Sequence, residues 1–106
     1  MADEETRSVV EGYLADRDGY WLAEDVELEL AGGRLVGGRR DAAGVLLARL
    51  GRERPGWLTV GDGRAAVEWE GGVVAVFEVD AGEIVAARLY QGFAKSSQAC
   101  SKQGLQ

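Results

Sequence analysis

A chain of 106 residues with 46% aliphatic, aromatic and cysteine residues and 28% charged residues is long enough for one hydrophobic core, too short for two, and too apolar to stay disordered. With 18 acidic against 12 basic side chains the net charge of -6 repels a phosphate backbone, and no Lys/Arg stripe offsets it, so no nucleic-acid partner is expected. The single cysteine, Cys100, leaves no internal disulfide, and the lack of histidine removes the usual nitrogen ligand of zinc, so neither a structural metal nor a cofactor is expected.

The apolar runs are short, as in Val73 to Phe77, and Met1 is followed by Asp3, Glu4 and Glu5, the wrong sign for a secretory leader. A cytoplasmic protein without membrane contact is the expectation. Asp3 stands where an N-cap belongs, and Glu4 and Glu5 put negative charge in a first turn, where the helix dipole favours it. Val9, Val10, Tyr13 and Leu14 then recur at helical period to about Ala15, with Arg7, Glu11 and Arg17 off the stripe. Arg17-Asp18-Gly19 breaks the pattern, and Tyr20 to Glu24 is long enough only for a short second helix carrying Tyr20, Trp21 and Leu22.

From Val26 the period changes to two, with Val26, Leu28 and Leu30 on one side and Glu27 and Glu29 on the other, which predicts a half-buried strand. Gly32-Gly33 reads as a turn, Arg34 to Val36 as a short returning strand, and Gly37-Gly38 as a second break. Arg39 to Leu50 predicts a helix whose Ala43, Leu46, Leu47 and Leu50 form a stripe and which Gly51 ends in a left-handed conformation. After Pro55-Gly56 the segments Trp57 to Val60, Arg64 to Glu70, Val73 to Asp80 and Glu83 to Phe93 read as strands joined by short glycine links, an antiparallel meander. The order predicts one α+β domain over residues 1–93, with about three N-terminal helical segments packed on a curved antiparallel sheet. Residues 94–106, rich in Ser, Gln and Lys, read as a mobile polar tail, in which Cys100 has no base beside it to make a reactive thiol.

Three phrases in this order resemble the nuclear transport factor 2-like superfamily, whose ketosteroid isomerase and SnoaL-like polyketide cyclase branches are the best known. They are Ser8-Val9-Val10-Glu11-Gly12-Tyr13-Leu14, Trp21-Leu22-Ala23-Glu24-Asp25-Val26-Glu27-Leu28, and Gly82-Glu83-Ile84-Val85, together with Gly38 leading into the third helix. The resemblance covers about Arg7 to Phe93, and the linker between the first two helices is shorter than is usual in the family. It implies a cone-like α+β barrel with a cavity between the helices and the concave sheet face.

Carried over residue by residue, the resemblance places Tyr13 at the oxyanion-hole tyrosine of the isomerases. It puts Leu30 at the general base and Ala75 at about the second, protonated aspartate, and neither side chain can move a proton. The cyclase pattern implies a His/Asp pair, which a chain without histidine lacks. The related epoxide hydrolases imply an Asp, Arg, Asp cluster, for which Glu68, Glu78 and Arg88 are the candidates, although strand alternation sets Glu78 opposite Ala75 and Phe77. The residues that remain favour an apolar, non-catalytic pocket for a hydrophobic small molecule, lined by Tyr13, Trp21, Leu28, Leu30, Trp57, Trp69, Ala75 and Phe77. Two alternatives stay open: the same side chains simply fill a core, or the chain is an isomerase, cyclase or hydrolase with a non-standard acid-base set.

On the other sheet face Val74 and Val76 alternate with the inner set, with Ala87 and Leu89, or Ala86 and Tyr90, as neighbours on the last strand. A sheet apolar on both sides needs a second cover, which predicts a symmetric homodimer or, in a third reading, a protein-interaction module. The glycine-rich stretches at Gly32 to Gly38 and Gly61 to Gly63 lack the Lys and Ser/Thr of a phosphate loop and read as turns. Arg39-Arg40 is open to two readings, a solvated basic pair or an anion site at a helix start.

Overall fold

The first stripe forms α1 (Asp3–Asp16), which carries Asp3, Glu4 and Glu5 in its first turn and buries Val9, Val10 and Tyr13 as expected, with Thr6 buried beside them and Leu14 only half-buried. The computed structural model of the chain describes residues 3–51 and 54–91, so the expectations for Phe93, the 94–106 tail and Cys100 lie outside the described residues. After α1 the chain makes a single 3-10 turn, Gly19–Trp21, in which the Asp18 carboxylate accepts the Tyr20 backbone N–H at 3.1 Å.

The predicted short second helix is therefore only this turn, and the strand that follows, β1 (Leu22–Glu29), starts earlier than its period-two pattern suggested. A bulge is the reason. Leu22 pairs with Ile84 but Glu27 already pairs with Ala86, so the extra residues of β1 fold out of the ladder and alternation begins only at Val26. Next come β2 (Leu35–Gly37), then α2 (Arg39–Leu50), which buries Ala42, Leu46 and Leu50 and ends at Gly51 with φ 63° and its N–H on Leu47 O at 2.8 Å. Arg39 opens α2 with its Nε on Leu22 O at 3.0 Å and its guanidinium 3.8 Å from Glu83. It ties the helix to the sheet.

The remaining strands are β3 (Trp57–Gly61), β4 (Arg64–Glu68), β5 (Val73–Asp80) and β6 (Glu83–Gln91). All six form one sheet in the order β2-β1-β6-β5-β4-β3, antiparallel throughout except where β1 runs parallel to β6. The architecture is α+β, with the helices on the concave side of a curved, mixed sheet that does not close into a barrel. A second bulge lies in β6, where Glu78 pairs with Ala86 and Val79 with Ile84, leaving Val85 unpaired. Bulges bend and twist a strand, and these two give the sheet its curvature. Among the described residues no helix is long and apolar enough to cross a membrane.

The β5–β6 turn places Ala81 and Gly82 at φ 52° and 80°. Two successive positive φ values define the tight hairpin turn that favours Asn-Gly, and alanine pays for its Cβ there. Ala81→Asn is expected to stabilise the protein by about 0.5–1 kcal/mol, a shift that an equilibrium urea melt resolves.

Candidate functional site

Register sorts the sheet residues onto two faces. Across the concave face run Leu28, Ala87, Phe77, Ala65 and Val60 in one row, and Leu89, Ala75, Val67 and Leu58 in the next. Across the outer face run Glu29, Arg88, Val76, Ala66 and Thr59, flanked by Tyr90, Val74, Glu68 and Trp57. The expected dimer face is thus half corrected: Val74 and Val76 are on the outer side, but Ala87 and Leu89 point inward and are buried, and their outer neighbours are Ala86 and Tyr90.

The pocket set divides as well. Tyr13, Leu28, Leu30, Trp69, Ala75 and Phe77 come together in the core. Trp21 lies instead against Gly12, where an added Cβ would stand 2.5 Å from its Cζ2, and its indole N–H donates to Asp16 Oδ2 at 3.2 Å. Its edge meets the Tyr20 ring at a centroid distance of 5.4 Å. Trp57 is 65% exposed on the outer side of β3, donating to Thr59 Oγ1 at 2.7 Å.

A side chain that borders a void large enough for water keeps accessible surface on that side. Tyr13, Leu28, Ala75 and Phe77 keep none, so in this state they fill a core and do not line an open cavity. An open, largely apolar groove of about 660 Å³ lies elsewhere, between the Glu29 to Gly33 hairpin and the outer side of Val74, Val76, Arg88 and Tyr90.

Chemistry inside the core centres on Tyr13. Its ring packs 5.8 Å from the Phe77 centroid at an interplanar angle of 59°, and its hydroxyl is buried without a hydrogen-bond partner among the described residues. Burial raises its pKa, partly opposed by the charge of Arg17, so the hydroxyl is a neutral donor at physiological pH.

Arg17, one turn further on, was read only as a break in the helix; its positive φ of 55° and its burial to 6% exposure mark it as a structural residue. Its backbone N–H donates to Tyr13 O at 2.6 Å, its Nε to Leu14 O at 3.0 Å, and its Nη1 to Gly51 O. Its Cζ lies 6.0 Å from the Trp69 ring centroid. No local pattern in the sequence announces this; a charged residue just after a helix is ordinarily solvated.

Positions Leu30 and Ala75, where the isomerase acids would stand, are buried and apolar. The hydrolase candidates Glu68, Glu78 and Arg88 all lie on the outer face, with Glu78 in register with Arg64 and Arg88 3.5 Å from Glu29. No family model and no curated protein matches the sequence.

Solved structures do match. An NTF2-like protein of unknown function from Mesorhizobium loti is 20% identical, with 83% of this chain and 91% of that chain covered at a TM-score of 0.70. A ketosteroid isomerase-like protein from Kribbella flavida is 26% identical over 82% and 77% of the two chains, at 0.60. A LEH-like epoxide hydrolase from M. tuberculosis is 24% identical over 84% and 79%, also at 0.60. The chain thus has the fold of the nuclear transport factor 2-like proteins.

Proposed function

We propose that the protein is a non-catalytic binding domain for a small apolar molecule carrying a hydrogen-bond acceptor, held between helices and sheet with the Tyr13 hydroxyl as its polar anchor. One observation carries this reading: among the described residues, a donor with no hydrogen-bond partner sits in a largely apolar core. An unsatisfied buried polar group costs about 1–3 kcal/mol, and a ligand carbonyl or ether oxygen would remove that cost. The core around Tyr13 is closely packed, so the ligand binds a more open conformation in which side chains at the core boundary, Trp69 and Leu30 among them, move outward. A general base near Tyr13 is what an isomerase would require, and the concave rows offer apolar side chains only.

The same reading includes a homodimer through the outer face, where Val74, Val76 and Tyr90 line the open groove and Ala86 lies on the same face. That groove also favours a second reading, in which the core is only a core and the outer face docks another protein.

The test is a thermal-shift screen of steroids, terpenoids, polyketides and fatty acids against wild type and Tyr13→Phe. Without ligand, Tyr13→Phe is expected to be more stable by about 1 kcal/mol, because it deletes an unsatisfied group at no loss of packing. With ligand, the wild type gains stability and the variant gains much less. Because the folded pKa of Tyr13 lies above the unfolded value of 10.0, its contribution is fully present below that pH. The contribution is lost as pH rises further, a decline that Tyr13→Phe removes. A screen in which no compound shifts the wild type would sink the binding reading and leave the outer face as the functional surface.

A further inference from the structure

Among the described residues β3 is paired on one side only, to β4, and forms an edge of the sheet. A bare row of backbone N–H and C=O groups is a template for another strand, and natural edges are blunted by lysine, proline, a bulge or brevity. β2, at the other edge, has three residues. β3 has five, Trp-Leu-Thr-Val-Gly, with no charge, no proline and no shift of register. Trp57 and Thr59 are exposed along it, while Leu58 and Val60 are half-buried.

The geometry points to β3 as a self-pairing edge: two copies of the chain join their β3 strands antiparallel, about a two-fold axis at Thr59, into one continuous sheet. The strand itself sets that register. A slip by one residue would carry Leu58 and Val60 to the solvent side, whereas centring on Thr59 pairs the whole strand.

Leu58 then faces Val60 of the partner subunit, and Trp57 faces Gly61 of the partner subunit, an aromatic ring covering an edge glycine. Charge agrees with this placement. Arg54, exposed ahead of the strand, extends past the end of the partner strand, where Asp62 of the partner subunit is exposed in its turn, and symmetry makes the contact twice. The contact lies on a different surface from the outer-face dimer and does not depend on it. A strand-edge joint of this size belongs to the small, transient class of interfaces, below about 1,200 Å² of buried surface, so association is expected only at high concentration.

Cross-linking tests it. In the Cys100→Ser background, Thr59→Cys places two thiols on directly opposed residues, whose Cα atoms in an antiparallel pair lie about 4.5–5.5 Å apart, within disulfide reach. Under mild oxidation this variant is expected to form a covalent dimer about tenfold faster than Glu24→Cys, an exposed β1 control. Thr59→Lys, which sets like charges face to face without touching the core, is expected to lower the mass seen by sedimentation at high concentration. Adding Val76→Lys, on the outer face, is expected to leave the Thr59→Cys cross-link unchanged. Equal rates for the two cysteine variants, a mass unaffected by Thr59→Lys, or a cross-link abolished by Val76→Lys would each overturn the proposal.

Discussion

Phe77→Ala is expected to cost about 4 kcal/mol of stability, the largest loss from any single truncation in this core. Phe77 is fully buried, and its neighbours across the concave row are Ala87 and Ala65. The truncated row would read Ala-Ala-Ala, with no large side chain on either neighbouring strand to lean into the gap, and poor collapse puts the cost at the upper part of the range for such changes. For a domain of this length the loss corresponds to a fall in Tm of about 20 °C, measurable by calorimetry, and Phe77→Leu should lose only about a third as much.

The cavity would open beside the Tyr13 ring, whose buried hydroxyl has no hydrogen-bond partner among the described residues. An apolar hole of aromatic size takes up small aromatic molecules, and here one wall carries a donor. Benzaldehyde is therefore expected to restore more stability to Phe77→Ala than benzene or toluene does. Adding Tyr13→Phe should erase the difference between them. Equal rescue by all three would mean that the hydroxyl does not select an acceptor, and would remove the main support for the proposed anchor.

Patterning made the helices and the meander legible because their burial follows a single period: Tyr13 sits on the α1 stripe, and Ala75 and Phe77 alternate along β5. Legibility failed where a bulge changed the phase. In β6 the unpaired Val85 shifts the alternation, so that Ile84, Ala87 and Leu89 all face inward. The charge of Arg88 is the one local signal for that phase: with Arg88 outward, Ala87 and Leu89 must point in. In β1 the bulge hid the start of the strand inside an apparent helix.

Trp57, expected in the pocket, has an outward phase on β3 because Leu58 is in register with the buried Val67. The role of Arg17 was illegible for a different reason. Its partners Gly51 and Trp69 are distant in sequence, so only tertiary packing reveals them.

Arg17→Ala is expected to destabilise the fold by about 3 kcal/mol, the second largest effect. The guanidinium donates to Leu14 O in the last turn of α1 and to Gly51 O just past α2, so one cation serves the negative ends of two helix dipoles. Hydrogen bonds from a charged donor are worth about 1.5–3 kcal/mol, and the contact with the Trp69 face adds about 0.5–1 kcal/mol. Against this stands the cost of burying the charge, which the substitution relieves in part.

Backbone strain separates these contributions. Arg17 holds a φ of 55°, where any Cβ is penalised. Arg17→Gly loses the same side-chain contacts as Arg17→Ala but relieves that strain, and it should be more stable than Arg17→Ala by about 1 kcal/mol. Arg17→Lys keeps the charge and the strain while losing the planar fork that spans two carbonyls, and is expected to fall between wild type and Arg17→Ala. Urea melts of the three variants give the ordering. If Arg17→Gly matches wild type, the side-chain contacts contribute no more than the backbone strain of about 1 kcal/mol that glycine relieves, far less than the two carbonyl bonds are expected to give. If Arg17→Lys matches wild type, the charge at the two helix ends is what matters and the geometry of the fork is not.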